Sequence, residues 1–226
     1  MLEHQRTRWI IRKQGTLLGL ILLIFVIFLL QEFSSSGWYF RFMAVPGEIV
    51  MSWRNLLEGT ADAVDYRQFG TLLSCAFLHG GIEHVLYNLL ALWIFAALAV
   101  DLLGTRWMLL IFFVAAICGS ICHTVLNATS AIPMLGASGA VMGFEGAYLG
   151  LATRWHLPDP HVWPMARAIA PGQLALLASL GVGMDYFALM GNAGGGIAYG
   201  AHLGGFTAGL FLTSLMAPKP QSASMR

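Results

Sequence analysis

The sequence has 226 residues, of which 58% are hydrophobic and only 10% are charged. That length allows one domain or at most two, and that composition excludes an ordinary soluble globular protein. The formal net charge is +1 and no basic, aromatic-rich face runs through the chain, so we expect no nucleic-acid partner. The composition indicates an all-α, multi-pass membrane protein whose surroundings are a lipid bilayer.

Four basic residues precede the first apolar run, which covers residues 15–33. A basic flank followed by an apolar run of this length predicts a cytoplasmic tail, residues 1–14, and a first spanning helix. A cleaved signal peptide is the alternative, because residues 34–37 resemble a small-residue cleavage region. The apolar run is long for a signal core, which favours the spanning helix.

Residues 34–78 mix aromatic and charged side chains, among them Trp38, Trp53, Arg54 and Asp65. Rings and charges together are typical of the membrane interface, where amphipathic side chains reach both lipid and water. We therefore expect a structured outer loop in the headgroup region. For the middle of this loop, a plain solvated segment is the alternative.

Five more apolar segments follow, and a basic loop at 153–170 and a glycine loop at 191–196 separate the last three of them. The five segments cover residues 81–100, 107–125, 138–152, 173–190 and 197–216, and a polar tail covers 217–226. With six spans, nine Lys and Arg residues fall on the side of the termini and three on the other side. This asymmetry predicts cytoplasmic termini and a single domain in a bacterial-type cytoplasmic membrane.

Ser138 lies between Ala137 and Gly139 at the start of the fourth predicted span. A neighbouring glycine lets another backbone approach the hydroxyl, and the N–H groups at a helix start suit a developing oxyanion. Ser138 is therefore a candidate nucleophile. Small residues are also how membrane helices pack, so a packing role is the alternative for this motif taken alone.

His202 begins a stripe of small residues in the sixth predicted span, with Gly205 and Gly209 three and seven residues further on. The fourth span carries a matching stripe that starts at Gly139. Two helices that touch backbone to backbone would bring Ser138 and His202 together as nucleophile and general base. No aspartate stands near either residue in sequence, so we expect a dyad in which packing alone orients the imidazole.

His84 and Asn88 lie four residues apart at the outer end of the second predicted span, and so share a helix face. Polar side chains at membrane depth are costly unless they meet partners or line a wet cavity. With His79 just above them, we expect such a cavity. A packing or interfacial histidine is the alternative.

Two acidic residues fall well inside predicted spans, away from their ends. Glu145 follows Ser138 by seven residues, so it lies on the serine's face of the helix, about 10 Å deeper. We expect its carboxyl group to be protonated or hydrogen-bonded at the floor of the cavity, with a structural role favoured over a catalytic one. Asp185 lies in the fifth span, and the sequence assigns it no role.

Three motifs occur along the chain: Phe77-Leu78-His79-Gly80-Gly81-x-x-His84-x-x-x-Asn88, Gly136-Ala137-Ser138-Gly139, and Ala201-His202-Leu203-Gly204-Gly205-Phe206-x-Ala208-Gly209. Together they resemble the rhomboid family of intramembrane serine proteases over residues 69–212. The resemblance implies a six-helix, rhomboid-like bundle that cleaves transmembrane protein substrates without a cofactor or metal. It also implies roles for the motif residues: Ser138 as nucleophile, His202 as base, and Asn88, His84 and the Ser138 backbone N–H as oxyanion donors.

The chain departs from the family pattern at one position that affects stability more than chemistry and at another that would orient the histidine ring less firmly. Val100 stands where many relatives carry a buried glutamate. Met142, one turn below Ser138, stands where many relatives carry a tyrosine that stacks on the histidine. We expect Gly136, Met142 and Glu145 to line the cavity.

Other classes of membrane protein fit the sequence less well. It contains no His-Glu-x-x-His motif, no pair of membrane aspartates and no internal repeat. These features would be expected of a metalloprotease, an aspartyl protease and a transporter, respectively. The remaining alternative is a catalytically silent rhomboid-like protein that binds membrane clients as a chaperone or adaptor, and the presence of both Ser138 and His202 argues against it.

Overall fold

The computed structural model describes residues 2–158, 171–190, 197–220 and 224–225. In this part of the chain the fold is mostly helical, with helices α1 to α8 at Leu2–Glu32, Pro46–Glu58, Ala63–Ser74, Ile82–Leu103, Thr105–Leu126, Ser138–Arg154, Pro171–Met190 and Tyr199–Met216. Short 3₁₀ turns cover Trp38–Phe42 and Cys75–Phe77, and strands β1 (Trp155–His156) and β2 (Ser224–Met225) pair antiparallel. The predicted glycine loop at 191–196 and residues 159–170 of the basic loop lie outside the described residues.

Within the part of the chain that the structure describes, three helices are long and apolar enough to cross a membrane: the Gln14–Glu32 part of α1, α4 and α5. Helices α6, α7 and α8 occupy the other three segments that the sequence predicts to span. Their crossing of the bilayer, and hence the count of six, stays a prediction.

Helix α1 packs against α4 through one apolar stripe. Leu17, Leu20, Ile24 and Phe28 are buried at spacings of three and four residues, the period that builds one helix face. At the start of this stripe, the side chain of Gln14 accepts a hydrogen bond from Trp93 Nε1 at 3.2 Å. The polar contact fixes the register of the two helices, which the apolar stripe alone would leave free to slide.

The outer loop is built from α2 and α3, and Asp65 connects them. Its carboxylate accepts from Asn55 Nδ2 on α2 at 3.1 Å and forms a capping box with Asp62 at the start of α3. Hydrogen bonds, above all the one with Ser52, hold the pKa of Asp65 below its ordinary value. The predicted structured loop is therefore a pair of helices joined by a carboxylate, and its position at the headgroups stays a prediction.

Helices α6 and α8 make the most extensive helix contact among the described residues. A Cβ on Gly139 would lie 3.2 Å from the carbonyl oxygen of Ala201, and one on Gly209 would overlap the carbonyl oxygen of Gly143. Only glycine allows backbones to approach so closely. The predicted packing of the two glycine stripes is confirmed, and we call this contact the α6–α8 seam.

The far end of the seam is closed by hydrogen bonds. The hydroxyl of Thr213 lies 2.9 Å from the carbonyl oxygen of Ala147 on α6. Arg154 donates to the carbonyl oxygens of Thr213 and Ala217 at 3.1 and 3.0 Å, which satisfies backbone groups left open at the end of α8. The seam is thus fixed at the end opposite Ser138.

Candidate active site

Ser138 is the first residue of α6, and the segment before it is held by backbone hydrogen bonds. Met134 and Ala44 of the outer loop exchange two of them, at 2.8 and 3.2 Å. The N–H of Gly136 donates to the carbonyl oxygen of Cys75 at 2.9 Å. The chain therefore enters α6 from a segment that is fixed at two points, which fixes the position of the serine.

His79 holds the same segment from another side. Its Nε2 accepts a hydrogen bond from the N–H of Ala137 at 3.3 Å, and its backbone N–H and C=O bond the side chain of Gln31 at the end of α1. The residue is 1% exposed, and burial, followed by the nearby charge of His84, lowers its pKa to about 3. His79 is therefore a neutral acceptor at any ordinary pH, and it joins α1 to the residue before Ser138.

The ring of His84 faces the space above Gly136. Gly136 has φ +122°, a backbone conformation that favours glycine, and a Cβ there would lie 2.9 Å from Nε2 of His84 and 3.9 Å from Oγ of Ser138. The imidazole edge and the hydroxyl therefore border the same small space. The N–H of Gly80 donates to Nδ1 of His84 at 3.4 Å, which leaves the ring proton on Nε2, the nitrogen nearer Ser138.

Asn88 lies one turn along α4 from His84 and is buried. Its Nδ2 donates to the carbonyl oxygen of His84 at 2.9 Å. An amide nitrogen carries a second hydrogen, which that bond does not use. The four-residue spacing places both side chains on one face of α4, as the sequence predicts.

His202 lies in the first turn of α8, directly after Ala201. Because Ala201 faces Gly139 across the seam, Ser138 and His202 are each one residue away from a close backbone approach of the two helices. The ring of Tyr199 lies edge-on to the imidazole at 6.3 Å between centroids. The seam is thus what brings the two predicted residues to the same end of the helix pair.

Asp185 of α7 also reaches His202. Its Oδ2 lies 2.8 Å from Nδ1 of the imidazole, and the two side chains are only 17% and 16% exposed. The expectation that packing alone orients the ring was therefore wrong. A carboxylate distant in sequence binds the ring nitrogen, since the tertiary contact of α7 with α8 places it there.

A small cavity of about 20 Å³ lies beside Ser138. Its walls include Gly136, Ala140, Ser120 and Ala201, with the larger Met134 and Leu135, so it is narrow and lined mostly by small side chains. Of the three residues expected to line it, only Gly136 does.

Met142 and Glu145 lie one and two turns deeper on α6, which puts them beyond the walls of this cavity. Oε2 of Glu145 is 3.9 Å from where a Cβ on Gly181 would stand, so its carboxyl group faces α7. Gly181 is one turn from Asp185, which places the two carboxyl groups between α6 and α7. Among the described residues, no group of three or more His, Cys, Asp or Glu side chains is arranged to hold a metal.

Comparison with known proteins shows the family of this chain. The family profile described as Rhomboid domain matches residues 66–219, more than half of the chain. The chain belongs to the rhomboid family.

Individual rhomboid relatives match over parts of their length. YdcA of Bacillus subtilis, which carries a rhomboid-protease name, is 31% identical over 108 residues, 48% of this chain and 54% of YdcA. The rhomboid protease GluP of the same organism is 42% identical over 81 residues, 36% of this chain and 15% of GluP. RHOMBOID-like protein 5 of Arabidopsis thaliana is 27% identical over 151 residues, which are 66% of this chain and 45% of that protein. The chain thus spans about half, or less, of the length of these relatives.

In this rhomboid protein, sequence reasoning missed two residues at the site. Asp185 was noted only as an aspartate in an apolar span, a feature that by itself indicates a functional partner. Gln31, at the polar end of the first span, gave no sequence signal that separated it from an ordinary interfacial residue. Both act through contacts with residues far along the chain.

Proposed function

We propose that this rhomboid protein is an intramembrane serine endopeptidase that cleaves transmembrane or juxtamembrane segments of other membrane proteins. The observation that carries the proposal is that Ser138 and His202 each lie one residue from the close approach of Gly139 and Ala201, with the ring of His84 beside the serine hydroxyl. Each residue has the chemistry that one step of acyl transfer needs. Family membership supports the same reaction class.

In the proposed reaction, Ser138 attacks the substrate carbonyl carbon while Nε2 of His202 takes the hydroxyl proton. The carbonyl oxygen becomes an oxyanion, and the Ser138 backbone N–H, Nε2–H of His84 and Nδ2 of Asn88 are its proposed donors. His202 then returns its proton to the leaving amine. Water, activated by the same imidazole, releases the acyl group from Ser138.

We further propose that α1, α4, α5, α6, α7 and α8 all span the bilayer, with both termini in the cytoplasm. The support is the Lys and Arg count of nine against three. Under this topology, Ser138, His84 and His202 lie toward the outer face. Reporter fusions after Lys219 and within residues 55–60 test it, and an outward C-terminus would rule out the six-span arrangement.

A helical substrate hides its peptide bonds in its own hydrogen bonding, so it must unwind before cleavage. We therefore propose substrates with helix-weakening residues near the outer face and a small side chain ahead of the cut bond. The narrow cavity beside Ser138 supports the small side chain. Helix α7 is the proposed entry gate, because Leu174 is the one deeply buried apolar residue among its described side chains.

The decisive experiment is cleavage of such a segment by the purified protein in liposomes. Wild type should cleave it, and Ser138→Ala and His202→Ala should not, although both should fold. Ser214→Ala, a serine on α8 that bonds the carbonyl oxygen of Phe211, is the matched control and should stay active. Cleavage that survives Ser138→Ala, or that chelators abolish, would contradict the serine mechanism.

Asn88→Ala tests the oxyanion donors. Loss of one donor typically lowers kcat by about 10² to 10³ with substrate binding largely kept. If the variant unfolds instead, Asn88 is a packing residue whose bond to His84 holds α4. Labelling by a serine-reactive phosphonate separates an active enzyme from a silent, client-binding relative, because only an activated Ser138 reacts.

A further inference from the structure

We propose that Asp185 is a positioning residue: its carboxylate holds the imidazole of His202 in the tautomer and orientation that activate Ser138. The inference rests on the proposed function and deepens it. It extends the expected dyad to a third residue, carried by a different helix. The observation behind it is the 2.8 Å distance between Oδ2 of Asp185 and Nδ1 of His202.

The chemistry of the two groups decides the tautomer. An ionised carboxylate only accepts hydrogen bonds, so Nδ1 of His202 must carry a proton in this pair. In a neutral imidazole, a proton on Nδ1 leaves the lone pair on Nε2. Nε2 is then the nitrogen that can take the proton of Ser138, as a general base must.

The same contact stabilises the charge that the reaction creates. When the Ser138 proton moves to Nε2, His202 becomes an imidazolium with its Nδ1 proton still bonded to Asp185. The carboxylate stays ionised throughout, and no proton passes to it. Because both side chains are mostly withdrawn from solvent, the attraction between them is screened less than that of a surface pair.

The ring has charged and titratable neighbours on other helices as well. His84 on α4 and His123 on α5 are close enough to interact with the charge of His202, and Glu145 on α6 with that of Asp185. A proton gained by either histidine would oppose a positive imidazolium. Asp185 supplies the negative charge that opposes this repulsion at Nδ1 itself.

A purely structural role is the competing explanation, since the pair also ties α7 to α8. The two roles rank variants differently. Asp185→Asn keeps the shape of the side chain, but its amide can donate to Nδ1 and so favour the wrong tautomer. A positioning role predicts that Asn is no better than Ala, whereas a structural tie predicts that Asn is the milder change.

The kinetic test compares Asp185→Asn, Asp185→Ala and Asp185→Glu in proteoliposomes, with Met184→Ala, at a neighbouring exposed position, as the matched control. We expect Asn and Ala each to lower kcat by roughly 10² to 10⁴ with KM little changed. Glu keeps the carboxylate and should restore kcat to within about tenfold of wild type. A folded Asp185→Asn variant with the kcat of wild type would overturn the proposal. So would a set of variants in which kcat falls only in proportion to thermal stability and Asp185→Ala is worse than Asp185→Asn.

A spectroscopic test works without turnover. In protein labelled with ¹⁵N-histidine, the Nδ1 proton of His202 should give a downfield signal, assigned by its absence in His202→Gln. Asp185→Asn should remove or strongly shift that signal, while Met184→Ala should not. If wild type cleaves no substrate but shows the signal, the proposed function fails and the orientation by Asp185 stands. A signal unchanged in Asp185→Asn would contradict the role of Asp185.

Discussion

The two sides of the candidate site differ in how firmly they are held. Ser138 starts a helix whose glycines face the α8 backbone, and the residues before it are bonded to Ala44, Cys75 and His79. The other side is α7, which carries Asp185. Among its described side chains, Leu174 is deeply buried, while the larger side chains are mostly exposed: Leu176, Leu180, Met184, Tyr186, Phe187 and Met190.

This difference separates two requirements of an enzyme in a membrane. The nucleophile has to be placed accurately, which close backbone packing and several hydrogen bonds achieve. Substrate has to enter from the lipid, which needs an element with few buried contacts and therefore a low cost of local opening. If Asp185 orients His202, displacement of α7 would also withdraw the carboxylate, so the base would be complete only when α7 is in place.

The largest loss of stability should come from adding a methyl group to the α6–α8 seam. In Gly209→Ala the new Cβ would overlap the carbonyl oxygen of Gly143, so the two helices must separate. We expect a cost of about 3 kcal/mol and a fall in Tm of roughly 6–12 °C, with loss of cleavage. Thermal unfolding in detergent, followed by circular dichroism, measures it.

The matched change on the other side is Gly183→Ala on α7, where a Cβ meets nothing within 4 Å. Alanine favours a helix over glycine by up to about 1 kcal/mol, so Tm should rise slightly or stay the same. Equal destabilisation by Gly183→Ala and Gly209→Ala would contradict the difference between the two sides, because α7 would then be packed as tightly as the seam.

His79 should make the stability of the Ser138 side depend on pH. Its pKa is about 3 in the folded protein against an ordinary 6.5, so the unfolded chain binds more protons between these values. Stability should therefore fall as pH drops from about 6.5 toward 3, by at most about 1.4 kcal/mol per pH unit from this group.

The variant His79→Gln isolates this contribution, because glutamine can still accept from the N–H of Ala137 but cannot titrate. We expect it to lose stability less steeply than wild type on acidification, measured as Tm against pH. His156→Gln changes an exposed histidine outside the site and should leave the wild-type slope unchanged. Parallel curves for wild type and His79→Gln would show that His79 does not govern the acid sensitivity of the Ser138 side.

Thr213→Val tests the hydrogen bond at the closed end of the seam. The substitution keeps the shape but removes the hydroxyl, which lies 2.9 Å from the carbonyl oxygen of Ala147 across the seam and 2.9 Å from that of Gly209 on its own helix. The expected cost is about 1 kcal/mol, or roughly 2–4 °C in Tm. Thr207→Val, at an exposed position of the same helix, should change Tm far less. Similar shifts from both would mean that this bond adds nothing to the seam.

Glu145→Gln should have the smallest effect, although Glu145 faces α7 directly. The amide keeps the size of the side chain and can still hydrogen-bond, so we expect almost no change in Tm and only a modest loss of activity. Cleavage and unfolding assays on one preparation measure both. Complete loss of turnover in the folded variant would show that Glu145 takes part in the chemistry, and that α7 is coupled to the site through it.

The sequence by itself determined the features that depend on local pattern. Apolar runs between polar segments predicted the long helices, since segment length and hydropathy are local properties. The structure places their bounds within a few residues of the expected ones, except that α1 begins at Leu2 and so includes residues 2–14, which were expected to be a tail. The glycine stripes around Gly139 and Gly205 predicted the α6–α8 seam, because close backbone packing requires small residues at regular spacing. That seam, in turn, placed Ser138 and His202 at one end.

Only the tertiary structure decided which distant groups meet. Asp185 is 17 residues before His202 and on another helix, and Gln31 is 48 residues before His79, so no periodicity links either pair. Met142 and Glu145 share a helix with Ser138, yet neither borders the cavity, whose walls include residues of α5, α6, the segment before α6 and the start of α8. Side-chain partners across helices depend on how the helices rotate and cross, and local spacing along one segment does not contain that information.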